Sequence, residues 1–297
     1  MQRVTQGMLN TQLLRNLNSN LTKMDHLQNQ LATGRKINKP SDDPVGISYS
    51  MRYRSDLSAN DQYERNVDSA NSWLDFTDSM LSQAGDVFQR LRELSVQGAN
   101  GTNPQEALNS IKSEVEQLYE HMVNIGNSQF NGKFVFNGQL TNVPPYTVVG
   151  APNELTDTAD VQFEISQGVK MPVGATGNEV FGMPGDTDNT FKVIQDFINA
   201  LGAGDQAAVG NTIGRLDSRF NKFLEVRADV GARSNRLEHA SNRLADISTN
   251  LQALQSKTED ADMAGVITKL KMAENVYQSS LSAGAKLIQP TLVDFIR

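Results

Sequence analysis

Along residues 209–254 apolar side chains recur at alternating steps of three and four: Val209, Ile213, Leu216, Phe220, Phe223, Val230, Leu237, Leu244, Ile247, Leu251 and Leu254. Arg227, Ser234 and Ser241 occupy seam positions without breaking the period, so the pattern predicts one helix. At 1.5 Å of rise per residue it reaches roughly 70 Å, more than a compact domain of this length can hold. The expected architecture is therefore mainly α: an elongated helical bundle or coiled-coil rod built from the N- and C-terminal segments, with a small β-rich insert in the middle.

Other segments repeat the pattern. Leu14, Leu17, Leu21, Met24 and Leu31 form a seam that stops at Gly34, a residue suited to a left-handed helix C-cap. Asp43 and Pro44 read as N-cap and first residue of the next helix. That helix carries Ala70, Trp73, Thr77, Met80, Ala84, Val87, Leu91, Leu94 and Gly98, with Trp73 as a core anchor. After Asn100-Gly101-Thr102, Asn103, Pro104 and Glu106 suggest a capping box opening a helix that bears Leu108, Ile111, Val115, Leu118, Met122 and Ile125. Short turns between such helices predict a three- or four-helix bundle. A last stripe runs Met263, Ile267, Leu270, Tyr277, Leu281 and Ile288.

Between Phe134 and Asp186 the period changes. Phe134-Val135-Phe136-Asn137-Gly138 predicts a strand entering a hairpin turn, and Val161 to Ile165 alternates as a one-sided strand does. Asp186 to Asn189 reads as capping for a helix bearing Phe191, Ile194, Phe197, Ile198 and Leu201, since Phe191 and Phe197 stand where a calcium loop needs glycine and glutamate. The expected domains are residues 1–37 with 261–297 as terminal coiled-coil assembly segments, 38–133 with 187–260 as a discontinuous bundle, and 134–186 as a small outer domain.

Composition removes several function classes. With no cysteine there is neither a disulfide nor a thiolate site, and a net charge of -7 without a basic stretch argues against nucleic acid or an anionic membrane as partner. The three histidines are scattered, and no catalytic or phosphate-binding motif has its required spacing. No enzymatic activity, cofactor or metal is expected. The opening residues 1–7 lack the apolar run of a signal peptide, and no run long enough to span a membrane is present. Periodicity alone is equally compatible with a cytoplasmic coiled-coil scaffold or signalling protein.

Two stretches go further. Leu31-Ala32-Thr33-Gly34-Arg35-Lys36-Ile37-Asn38, continued by Ser41-Asp42-Asp43-Pro44-Val45-Gly46, resembles the N-terminal signature of the bacterial flagellin family. Arg227 to Glu238 and Asp260-Ala261-Asp262-Met263-Ala264 resemble that family's C-terminal helical region. The resemblance covers residues 1–137 and 190–297. Within the family, Gly132 to Gly138 and the ending from Ser279 to Arg297 are more similar to the subunit joining hook to filament than to filament flagellin, which stands as the alternative.

The resemblance implies export through the flagellar type III channel from a transient cytoplasmic state, and an extracellular destination in the flagellum. It implies terminal segments that pair as an inner coiled coil. It also implies hook-associated protein 1 and filament flagellin as axial neighbours, copies of the chain laterally, and an export chaperone at the C-terminus. Leu14, Leu17, Leu21, Met24 and Leu31 at one end, and Met263, Ile267, Leu270, Tyr277, Leu281 and Ile288 at the other, are the expected assembly and chaperone-binding residues.

Overall fold

The computed structural model describes residues 6–287, with side chains from 7 to 285. The fold is mainly α, with seven helices and two antiparallel two-stranded sheets among the described residues. The helices are α1 (Gln6–Thr33), α2 (Pro44–Gly98), α3 (Gln105–Gly126), α4 (Gly177–Phe181), α5 (Thr190–Ala203), α6 (Gln206–Glu259) and α7 (Met263–Leu287). The chain divides into two compact units, one made of residues 1–59 and 247–297, the other of residues 60–246.

In the second unit, α2 and α6 pack antiparallel. Gly98 lies against Val209, Phe88 packs at a tilt against Phe220 and Phe223, and Asp78 meets Arg227 at 2.9 Å. The long seam is continuous in α6 as its period predicts: Val209, Leu216, Phe223, Val230, Leu237 and Leu244, one per heptad, are buried. Helix α2 buries more than the two expected positions, adding Val67, Leu74, Leu81, Phe88 and Ser95 at steps of seven. A third buried position per heptad widens the apolar face, which lets α2 serve partners beyond α6. Arg90 of α2 accordingly reaches Glu114 of α3 at 2.6 Å, and α3 packs on α5.

Two local expectations are corrected. Helix α3 starts one residue later than the capping box requires: Pro104 holds the N-cap position with no side-chain cap bond, and the Asn103 amide instead donates to the Gln97 carbonyl at 2.6 Å. The hairpin turn lies at Asn131-Gly132 and not at Asn137-Gly138. Strands β1 (Gln129–Phe130) and β2 (Lys133–Phe134) pair around two residues with positive φ, 50° and 75°, as a two-residue hairpin of primed type requires. Beyond Phe134 the ladder ends, and Val135 and Phe136 turn into the core as irregular chain.

The expected second strand is present as β3 (Gln162–Ser166), paired with β4 (Val169–Pro172) around Gly168. Asn189 caps α5, its side chain accepting from Lys192 N at 3.1 Å. The insert shares the bundle's core. Tyr146 lies 4.7 Å from Phe191 and 5.6 Å from Phe181, Phe136 lies 5.7 Å from Phe181, and the Tyr119 hydroxyl donates to the Val148 carbonyl at 2.8 Å. An aromatic cluster of this size supplies the burial that some 50 residues without disulfides cannot gather alone. Trp73 is buried as a core anchor, edge-on to Phe130.

Arg219 ties the segment ahead of α5 to α6. Its buried guanidinium donates to Asp188 Oδ1 at 2.7 Å, to the Asp188 carbonyl at 3.1 Å and to Asp186 Oδ2 at 3.2 Å. Burial raises the Asp188 pKa, but the Lys222 hydrogen bond, the Arg219 charge and the Ser218 hydroxyl outweigh it and hold the carboxyl below its usual range.

Candidate assembly interface

The first unit is built from the two ends of the chain. Helix α1 ends in the left-handed conformation at Gly34, φ 70°, as the sequence predicts. From there the backbone crosses to the other terminal segment: Lys36 N donates to the Glu259 carbonyl at 2.6 Å and Ala261 N to the Gly34 carbonyl at 3.0 Å. Leu13 at the far end of α1 meets Gly284 of α7, so the two helices run antiparallel. A Cβ on Gly284 would come within 2.6 Å of Leu13, and this close approach explains a glycine in mid-helix.

The signature around residues 31–46 is a connector whose polar residues satisfy its own backbone. Asp42 Oδ2 accepts from Asn38 N at 3.0 Å and Lys39 N at 2.8 Å. The Gln30 amide donates to the Lys36 carbonyl at 3.0 Å. Asp43 Oδ1 accepts from Val45 N at 3.1 Å and Gly46 N at 2.9 Å, which opens α2 as its cap. Ile37 is buried, and a Cβ on Gly46 would come within 2.6 Å of Ile37 Cδ1, so the connector folds tightly onto the start of α2.

Glu259 is the electrostatic centre of the unit. It is 2 % exposed and accepts from Arg54 Nε at 2.8 Å and Nη2 at 2.7 Å, from the Ser50 hydroxyl and from the Gln255 amide at 3.2 Å, with Arg35 Nε 3.7 Å away. The bidentate Arg54 contact, opposed by burial and helped by Ser50 and Gln255, lowers its pKa to about 2 from an ordinary 4.5. This contribution to stability is complete above about pH 4.5 and is lost as pH falls toward 2. The urea midpoint of the intact chain should therefore exceed that of Glu259→Gln at pH 6, with the gap narrowing from pH 5 to pH 3. A gap that stays constant over that range would mean the carboxylate is not held by these partners.

The candidate interface residues fall into two groups. Leu17, Met24, Leu31, Leu270 and Tyr277 are partly or fully withdrawn from solvent. Leu14, Leu21, Met263, Ile267 and Leu281 are exposed, between 41 % and 60 %. Ile288 lies outside the described residues. The side chains least exposed along α1 are Leu13, Leu17, Asn20, Met24, Leu27 and Leu31, and those along α7 are Val266, Leu270, Ala273, Tyr277, Ser280 and Gly284. The pair thus uses one stripe for itself and leaves other apolar side chains exposed, Met8, Leu9, Met272 and Val276 among them. Exposed apolar side chains in this number make the terminal helices the candidate for contact with other chains.

Among the described residues no group of three or more His, Asp and Glu could hold a metal, and no helix is long and apolar enough to cross a membrane. Paired terminal helices with exposed apolar side chains beside their contact suit a protein that meets other chains. The chain belongs to the bacterial flagellin family: the family's N-terminal helical region matches residues 4–141 and its C-terminal helical region residues 213–296. It is 30% identical over 279 residues to the flagellar filament 33 kDa core protein of Treponema phagedenis, covering 92% of this chain and 91% of that one. It is also 24% identical over 309 residues to flagellar hook-associated protein 3 of Escherichia coli, covering 95% of each. The solved hook-associated protein 3 of Legionella pneumophila shares the fold, with a TM-score of 0.62 at 16% identity, over 70% of this chain and 98% of that one. This chain is accordingly a structural component of the flagellum and not an enzyme.

Proposed function

We propose that the chain forms the junction layer between hook and filament, the role named for hook-associated protein 3. The observation that carries this reading is the end-to-end match to the Escherichia coli junction protein, which spans the insert as well as both helical regions. The lead-in at residues 132–138 and the ending at 279–297 support the same reading by resemblance. Identity to the Treponema filament core protein is higher, and it favours filament flagellin as the second reading.

In the junction reading, residues 1–37 and 261–297 are the assembly segments, the discontinuous bundle of 38–133 and 187–260 forms the next layer, and 134–186 faces outward. Axial neighbours are hook-associated protein 1 on one side and filament flagellin on the other. Copies of the chain are lateral neighbours, and an export chaperone covers the C-terminal stripe before secretion. Exposure of Leu14, Leu21, Met263, Ile267 and Leu281 fits both duties, because a surface that will be buried in the assembly needs a holder beforehand.

Electron microscopy of flagella from a strain lacking the chain tests the reading. Hooks without filaments, together with abundant unpolymerised flagellin in the medium, are the expected result. Missing filaments with no flagellin in the medium would identify the chain as the filament subunit.

A further inference from the structure

We infer that the second unit carries a charge zipper for side-by-side contact with a second copy of the chain, formed by Asp68 and Asp75 on one flank and Arg236 and Arg243 on the other. The inference rests on the proposal that copies of the chain are lateral neighbours, and it specifies how they recognise each other.

The four residues are exposed, and none makes a side-chain hydrogen bond or ion pair within the chain among the described residues. Asp61, also exposed and unpaired, extends the acidic row by one heptad. Each row steps by seven residues along one helix, so charges within it are spaced about 10.5 Å apart on both helices. Rows of equal step can meet with every charge in register, whichever way the helices run. Arg65, a cation beside the acidic row, is turned to the Gln62 amide oxygen at 2.8 Å.

The rows overlap in level at Asp68 and Arg236 and are otherwise offset by about one heptad. Asn60 Nδ2 donates to the Leu244 carbonyl at 3.1 Å, and Asp78 meets Arg227 at 2.9 Å. Residues 60–78 of α2 therefore run antiparallel beside residues 227–244 of α6, and both rows fall inside this stretch. They also lie on opposite flanks. Arg236 and Arg243 border the β3–β4 hairpin, forming with His239, Ile165 and Val169 a shallow cleft. On α2 the hairpin is met by Asn66, whose amide donates to the Glu164 carbonyl at 2.9 Å. Asp68 lies two residues further on, about 200° around the helix, and thus faces away from the hairpin.

A cationic flank and an anionic flank make a heterologous contact, the kind that repeats around a ring or sheet of identical subunits; a neighbour shifted along the helix axis by about one heptad, roughly 10 Å, sets Asp68 opposite Arg243 and Asp75 opposite Arg236. The helices cannot satisfy these charges themselves, because each row is turned away from the other. Opposed charge on facing subunits adds chiefly specificity and association rate, and it disfavours wrong registers.

Full-length chains with exchanged charges, expressed in a strain lacking the natural chain, provide the test. Asp68→Arg with Asp75→Arg, and separately Arg236→Asp with Arg243→Asp, each set like charges face to face and should lower the amount of chain in purified flagella about tenfold or more. The quadruple variant restores opposite signs between neighbours and should return incorporation toward the natural level. Normal incorporation of either double variant, or a quadruple variant no better than the doubles, overturns the zipper. As a second reading, Asp68→Cys with Arg243→Cys creates a pair that can join only two copies, since the chain has no other cysteine. Oxidised flagella should yield covalent multimers of the chain; flagella that contain the variant but yield none also overturn it. Absence of the unaltered chain from purified flagella would instead remove the lateral-neighbour reading on which the zipper rests.

Discussion

Removing residues 1–37 and 261–297 is expected to abolish incorporation into the flagellum while moving the thermal unfolding midpoint by only a few degrees. No described side chain of α1 is buried, and in α7 only those of Val266 and Leu270 are, at 7 % and 8 % exposure. Ordering a backbone costs roughly 1 to 2 kcal/mol per residue, and a two-helix contact with one half-buried stripe barely offsets that. The residues at the centre of the second unit, by contrast, include Leu81, Leu91, Phe136, Phe181, Phe191 and Phe223, all fully buried. Cooperative melting should report that core. Protease should trim the intact free chain at both ends, to a fragment beginning near Asn38 and ending near Asp260. Equal protection of ends and bundle, or a large fall in midpoint on truncation, would place the terminal helices within the main cooperative fold.

Arg219→Ala should be among the most damaging single substitutions, lowering stability by about 3 kcal/mol. The guanidinium is 3 % exposed and its removal leaves Asp188, itself 5 % exposed, without its closest partner. Lys222 remains on Asp188 Oδ2 at 2.8 Å, which is why the lower end of the range for a broken buried pair applies. For a cooperative unit of this size, a loss of about 3 kcal/mol corresponds to a midpoint lower by roughly 6 to 12 °C. Adding Asp188→Asn should recover part of the loss, because the stranded charge is the larger share of the cost. A fall of less than a degree in Arg219→Ala, measured by calorimetry, would show that the network contributes little.

The helices and their order were legible because heptad spacing is dense in apolar residues, and α6 is one helix that buries its predicted seam from Val209 to Leu244 but leaves Leu254 exposed. Phase was less legible where a helix is apolar on two sides. In α1, Leu13 and Leu14 are adjacent, and a stripe through Leu14 and Leu21 has the same period as one through Leu13 and Leu27. Only the position of α7 decides which of them turns inward. The hairpin shows the same ambiguity in another form, since Asn-Gly occurs at 131 and at 137. The first pair takes positive φ at both residues, whereas the Asn137 side chain is engaged with the Leu140 and Val143 carbonyls.

The ionic centres were not read from the sequence at all. Arg219 and Glu259 occupy helix flanks where a charged residue ordinarily faces water, and their partners come from distant segments. Arg219 follows Leu216 and Thr212 along one side of the seam, a faint signal that this flank is covered.

The split of the chain into units also sets an order in time. The second unit is one continuous stretch, residues 60–246, whereas the first also needs residues 247–297, which are made after it. At a synthesis rate of about 5 to 20 residues per second, that stretch takes roughly 3 to 10 s. Throughout that interval the second unit already has its complete sequence, while α1 waits for a partner that does not yet exist. Helix α1 is therefore open to recognition on every ribosome, and the pairing that later hides its inner stripe cannot begin until α7 has been made.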